Sequence, residues 1–332
     1  MSLPGERAII ARIREQAGLP GRGLVAGIGD DCAVYRESPG KLSLITMDTL
    51  VEGVHFDFSL HPPAKLGQKS VSVNVSDIAA MGGIPRFALL SLALRQGVSP
   101  EWLDNFMAGF LGQLQGFQVL LIGGDTVRSG HEIMISVTLI GEGAEGKVVY
   151  RSGARKGDRV LVSGSLGEAA GGLAVLRNNS PENQRRWPQL LEAHLNPLVR
   201  AELGHLLAET GRIHAMMDIS DGLATDLAHI CAESGVGAEI SAGAVPINEA
   251  LRSAAAYFSK DPLEWALQGG EDYQLLFTCA PEDEASVRDL AAEKCGCELF
   301  CVGRIIAGKG VHLVSGDGSR REISYQGYDH FS

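Results

Sequence analysis

Apolar positions switch repeatedly between a helical and a strand period along the chain. Residues 5–17 place Ile9, Ile10, Ile13 and Ala17 on one face, which predicts a helix. Residues 41–48 alternate Leu42 and Leu44 with polar neighbours, the period of a strand, and end on Asp48. Residues 65–81 return to helical spacing, and Gly82-Gly83 ends that helix. Residues 87–94 read as a buried strand and 100–116 as a helix. A short strand at 119–122 runs into Gly123-Gly124-Asp125-Thr126, and another strand spans 133–140.

The second half repeats the alternation. A strand at 159–163, a glycine loop at 164–167 and a helix to about 176 come first. The polar stretch 178–188 reads as a surface loop. Helices at 199–210, 222–234, 248–257 and 282–294 interleave with strands at 214–217, 238–240, 273–279 and 299–302, and a hairpin closes the chain. Such alternation predicts an α/β (α+β) protein. The basic connector Arg151 to Asp158 marks the boundary, giving domains 1–148 and 149–332.

Composition narrows the function classes. A chain of 332 residues has room for two domains, and 42 glycines suit tight turns between elements. A net charge of -11 argues against a nucleic-acid partner, which needs a basic footprint. It suits a protein that recruits divalent cations. No apolar run reaches about 18 residues, and Met1 to Glu6 lacks a signal-peptide pattern, so a cytoplasmic protein off the membrane is expected. The six cysteines, three of them clustered at Cys295, Cys297 and Cys301, read as reduced thiols rather than a zinc site.

The acids carry the chemistry. Asp30 and Asp31 adjoin each other between glycines, where like charges repel and burial is costly. Asp48, Asp125 and Asp218 fall at strand ends or in glycine loops, where α/β proteins build ligand sites. Asp77 sits in the second half of a helix, against the dipole, which favours a cation partner. Singly, Asp30 or Asp31 could cap a turn, Asp125 could be a turn residue and Asp221 a helix N-cap. Jointly they point to one polyvalent magnesium site. Arg151 and Arg155 read either as a solvated connector or as a guanidinium fork for phosphate. Gly141 to Lys147 imitates a P-loop, but Val148 stands where a hydroxyl is needed. The glycines at 164, 167 and 171 suit either phosphate binding or close helix packing.

Six ordered motifs then resemble one family. They are Gly-Ile-Gly-Asp-Asp-Cys-Ala-Val (27–34), Met-Asp-Thr-Leu-Val-Glu-Gly-Val-His-Phe (47–56), Val-Asn-Val-Ser-Asp-Ile-Ala-Ala-Met-Gly-Gly (73–83), Gly-Gly-Asp-Thr (123–126), Asp-Ile-Ser-Asp-Gly-Leu (218–223) and Gly-Gly-Glu-Asp-Tyr (269–273). This set is similar to the thiamine-monophosphate kinases of the aminoimidazole ribonucleotide synthetase-like superfamily. The resemblance implies a mixed-sheet, half-barrel N-terminal domain that dimerises, and a C-terminal α/β domain that completes the substrate site. It implies transfer of the ATP γ-phosphoryl to thiamine monophosphate with several magnesium ions.

By that resemblance Asp30, Thr46, Met47, Asp48, Asp77, Asp125, Asp218 and Asp221 would hold metal, Met47 only through its carbonyl. Gly124, Asp125, Arg151 and Ser220 would meet ATP. His55, Glu271 and Tyr328 would meet the thiamine phosphate. No residue is expected as a general base, because the acceptor is a phosphate largely ionised at neutral pH, with a second pKa of about 6. Two alternatives stand beside this reading. One is a superfamily member with another acceptor; the other is a non-catalytic divalent-cation binder, though no EF-hand loop is present.

Overall fold

The computed structural model describes residues 24–26, 32–36 and 39–328. The expected first helix at 5–17, together with Asp30 and Asp31, lies outside the described residues.

The N-terminal sheet has six strands in the order β1-β2-β3-β6-β4-β5. They are β1 (Leu24–Ala26), β2 (Ala33–Arg36), β3 (Lys41–Val51), β4 (Ile84–Leu94), β5 (Leu120–Arg128) and β6 (Met134–Ala144). Only β4 and β5 run parallel; every other pair is antiparallel. Strand alternation sorts the side chains. Leu42, Leu44, Leu50, Ala88, Leu90, Leu92, Ile135, Val137 and Leu139 face one side. That side packs on helices α1 (Pro63–Ala80) and α2 (Pro100–Gly116). The two helices press together so closely that a Cβ on Gly109 would lie 1.9 Å from the Ala64 carbonyl oxygen, so that site accepts only glycine. The opposite face leaves Met47, Phe87, Leu120, Val127 and Met134 exposed.

The second sheet has seven strands in the order β13-β12-β9-β11-β7-β10-β8. They are β7 (Arg159–Val162), β8 (Ile213–Asp218), β9 (Gly237–Ser241), β10 (Leu275–Cys279), β11 (Phe300–Ile306), β12 (Gly310–Val314) and β13 (Arg320–Glu322). Its helices are α3 (Glu168–Asn178), α4 (Pro181–Arg186), α5 (Pro188–Leu195), α6 (Ala201–Thr210), α7 (Leu223–Ser234), α8 (Glu249–Tyr257), α9 (Pro262–Gln268) and α10 (Glu284–Cys295).

Helix α1 lies between the two halves and is buried on nearly every face. Its apolar positions meet the N-terminal sheet, and its far side packs on α6 and β8. The stretch 178–188 is therefore not a loop. Ser180 caps α4, and Pro181 and Pro188 open the two short helices at positions where proline loses no hydrogen bond. Strand β5 also runs further than the sequence suggests, through Gly123-Gly124-Asp125 to Arg128. All six cysteines are free thiols, and burial pushes Cys231 and Cys279 up to about 12.

Candidate active site

Two carboxylates of the N-terminal half are set by α1 and β3. Asp48 is on the helix-facing side of β3, and its backbone N–H donates to Asn74 Oδ1 at 3.1 Å. Thr46, two residues earlier on the same side, donates its hydroxyl to Asp77 of α1. Three polar residues of α1, Lys69, Ser72 and Ser76, recur at i, i+3 and i+7 and so share one stripe. Each bonds to the other half of the chain. Lys69 Nζ pairs with Glu271 Oε1 at 2.7 Å, Ser72 Oγ donates to Asn196 Oδ1 at 3.4 Å, and Ser76 Oγ donates to Asp218 Oδ2 at 2.5 Å.

The C-terminal half contributes two loops. Strand β8 ends on Asp218, and Ser220-Asp221-Gly222 leads into α7. Asp221 does not cap that helix. Asp226, one turn inside, accepts the N–H groups of Asp221 at 3.1 Å and Gly222 at 3.0 Å. Burial, then the nearby Asp221 and Asp218, raises the Asp226 carboxyl well above its usual range.

The second loop, Gly269 to Tyr273, crosses beside the first. Glu271 N–H donates to Ser220 O and Tyr273 N–H to Ile219 O, both at 2.8 Å. Glu271 and Tyr273 hold φ of 69° and 50°, a left-handed backbone that non-glycine residues adopt only under constraint. The two adjacent acids of this loop divide their work. Asp272 turns away and accepts the N–H groups of Gly167 at 2.5 Å and Ala169 at 3.1 Å, capping α3. Burial raises its carboxyl to about 7 despite those bonds.

These parts surround a cavity of 710 Å³. Asp48, His55, Ser220, Asp221, Glu271 and Tyr328 line it. His55 Nδ1 accepts the Val51 N–H at 3.0 Å, which leaves the proton of the neutral ring on Nε2. Tyr328 is drawn in by its backbone N–H, which donates to Asp221 O at 3.1 Å. Tyr273 also lines the cavity, and its hydroxyl is raised well above its usual range by burial, then by Glu271, Asp48, Asp218 and Asp77 together. So four carboxylates from four separate segments act on one ring.

A site of this kind suits a hard cation. Its donors are carboxylate and hydroxyl oxygens, the set magnesium prefers. Asp226 Oδ1, buried beneath the loop, has no hydrogen-bond partner. Among the described residues, no group of three or more His, Cys, Asp or Glu side chains is gathered closely enough to hold a metal ion by itself.

Gly124 and Asp125 stand apart. The ladder sets Gly124 beside Leu90, Val137 and Asp48, but across three strand spacings, about 14 Å. Asp125 pairs with Ser91, which pairs in turn with Ser136, in the row that faces the open side of the sheet. Its carboxylate therefore leaves the opposite face from Asp48. Met47, 62% exposed, also faces that open side. Arg151 does not line the cavity, although its charge acts on Asp226.

Sequence reasoning missed Lys69, His61 and His194, which gather around Glu271. The stripe spacing of Lys69, Ser72 and Ser76 was the one sequence signal for the first of them.

Residues 29–142 match the model for the N-terminal domain of AIR synthase related proteins, and 155–315 match that for the C-terminal domain. The thiamine-monophosphate kinase of Salmonella typhimurium is 36% identical, covering 99% of this chain and 98% of that one. That of Aquifex aeolicus is 38% identical over 92% of both chains. A solved structure described as AaThiL complexed with AMPPCP and TMP superposes with a TM-score of 0.86 at 35% identity, covering 98% of this chain and 97% of that one. The chain belongs to the AIR synthase related proteins and, within them, to the thiamine-monophosphate kinase family.

Proposed function

We propose that this chain transfers the γ-phosphoryl of ATP directly to the phosphate of thiamine monophosphate, giving thiamine diphosphate and ADP. The observation that carries the reading is the junction of a 710 Å³ cavity with a crowd of carboxylates drawn from both halves of the chain. The full-length likeness to a kinase structure holding a nucleotide analogue and TMP supports the same assignment.

Asp48, Asp77, Asp218 and Asp221 are the residues that would hold magnesium, with Thr46 orienting Asp77 and Ser76 orienting Asp218. Asp30, the Thr46 hydroxyl, the Met47 carbonyl and Asp125 belong to the same proposal on the motif alone. When bound, magnesium supplies charge neutralisation between two polyanions and stabilises the transferring group. The carboxylates do not attack. With a second pKa of about 6, the acceptor phosphate is largely a dianion at neutral pH and needs no general base. Transfer is in line, without a phosphoenzyme. Ser220, at the cavity edge, and Arg151, Gly124 and Asp125 are assigned to ATP. His55, Glu271 and Tyr328 are assigned to the thiamine phosphate.

His55→Ala tests the acceptor assignment. With Nε2–H lost, the KM for thiamine monophosphate rises by about tenfold while that for ATP holds, as expected for one hydrogen bond to a charged group. An effect on ATP alone would reassign His55.

We assign residues 1–148 to nucleotide and metal binding and to dimerisation, and 149–332 to completing the acceptor site. The open face of the N-terminal sheet is the proposed homodimer contact. Leu120 is 63% exposed there, beside Phe87 and Met134, and apolar faces of this kind mark interfaces. Leu120→Glu should convert a dimer to a monomer in sedimentation velocity; a monomeric native protein would contradict the assignment. Among the described residues no helix is long and apolar enough to cross a membrane, and we place the enzyme in the cytoplasm.

Substrate choice tests the whole reading. With magnesium and ATP, thiamine monophosphate supports ADP release, whereas thiamine and unrelated phosphate monoesters do not. ADP release indifferent to the acceptor would point to another member of the superfamily.

A further inference from the structure

Lys69 is completely buried, at 0% exposure, in the middle of α1. It does not line the cavity, yet its ammonium reaches Glu271, which does. A buried ion pair is a poor stability device, since apolar replacements of similar volume often do as well. Its presence under a ligand cavity therefore calls for another reason.

The geometry supplies one. Lys69 Nζ takes Glu271 Oε1 at 2.7 Å from the N-terminal half. His194 Nδ1, from α5 in the C-terminal half, lies 3.2 Å from Oε2. The Glu271 side chain keeps 26% of its surface open. His61 stacks edge-on against His194 with ring centroids 5.4 Å apart, and both rings line the cavity. His61 Nδ1 lies 3.1 Å from the Asp57 N and 3.2 Å from the Asp57 O, and its Nε2 is buried with no protein partner. His194 Nε2 is likewise buried without one.

We infer that Lys69 and His194 are positioning residues for the acceptor: from opposite halves of the chain they clamp Glu271, with His61 beside them, so that one oriented carboxylate faces the cationic ring of thiamine monophosphate. The inference rests on the function proposed above and names how that site selects its acceptor.

The electrostatics agree. Burial alone would raise the Glu271 carboxyl, but Lys69 and then His194 override it and hold it well below the usual range. Burial and Lys69 lower His194, and burial and His194 push His61 down to about 4. Around the carboxylate stand one cation, two neutral imidazoles and the neutral Tyr273 hydroxyl, with Arg177 acting on His194 from α3. The anion thus stays charged across the working range and adds a fixed attraction for a positive ring.

Lys69→Met removes the clamp. Glu271 is then governed by burial, so its pKa rises and it takes up a proton as pH falls. Two readouts are made on the full chain: binding of thiamine monophosphate by calorimetry, and steady-state kinetics from pH 5.5 to about 8.5. Expected are a rise of about tenfold or more in both the Kd and the KM for thiamine monophosphate, an unchanged KM for ATP, and a Kd that weakens further towards low pH. The native protein shows only the slope imposed by the ligand's own phosphate, whose second pKa is about 6. Lys69→Met with Glu271→Gln guards against misfolding, because no lone charge is left buried; it binds weakly with only that ligand slope left. Equal losses for both substrates, native affinity in Lys69→Met, or a Lys69→Met slope no steeper than the native one would overturn the inference. Binding without phosphoryl transfer in the native protein would instead sink the proposed reaction, and the variants would still judge the clamp.

Discussion

Asp48→Asn folds and loses phosphoryl transfer by about 10²–10³-fold, the scale on which one well-placed electrostatic group is felt. The structure gives reasons for both halves of that result. The Asp48 backbone N–H, not its carboxylate, makes the bond to Asn74, so the strand keeps its anchor. The carboxylate is one of the charges crowding Tyr273, and removing it relieves repulsion in the metal-free protein. The metal-free variant should therefore melt no lower than the native chain. What it loses is the rise in Tm on adding magnesium, because a cation stabilises only through its affinity for the folded state. Thermal scans with and without magnesium check this. A variant that melts lower in chelator would make Asp48 a structural residue.

The second large effect is on the union of the two halves. Gly204 of α6 lies against α1 so closely that a Cβ would sit 2.1 Å from the Ala79 carbonyl oxygen. Gly204→Val cannot be absorbed by a side-chain rotation, since the obstacle is backbone. We expect a loss of about 3 kcal/mol in denaturant unfolding, at the upper end for overpacking. The consequence extends to the site. Moving α6 away from α1 shifts the stripe that carries Lys69, Ser72 and Ser76, so KM rises for both substrates together. Full stability in Gly204→Val would show that the two helices yield easily.

Much of this was legible in advance, for identifiable reasons. Carboxylates at strand ends and in glycine loops predicted a ligand site; Asp48 and Asp221 line the cavity, and Asp218 accepts from Ser76 of α1. Periodicity found most of the described strands and helices because their buried faces are strictly patterned. It failed at 178–188, where polar residues cover two short helices whose only signals were Ser180, Pro181 and Pro188. The N-cap reading of Asp221 failed because Gly222 takes the cap position, and Asp226 holds the Asp221 and Gly222 N–H groups from inside the helix. The placement of Asp125 on the open face was not readable either. That depends on strand register, and the register here is shifted beside the glycines, between Ala88 and Leu89. Lys69 was hidden for a different reason. A lysine in a helix normally reads as solvent-facing, and only the fold shows that both sides of α1 are covered.

The most direct test follows the transferred phosphoryl. The protein is incubated with magnesium, γ-labelled ATP and thiamine monophosphate, quenched, and the label is located. Label is expected in the terminal phosphate of thiamine diphosphate, one for each ADP formed, with none on the protein at any time during turnover. Label trapped on an aspartate or histidine, or ADP formed without thiamine diphosphate, would contradict it.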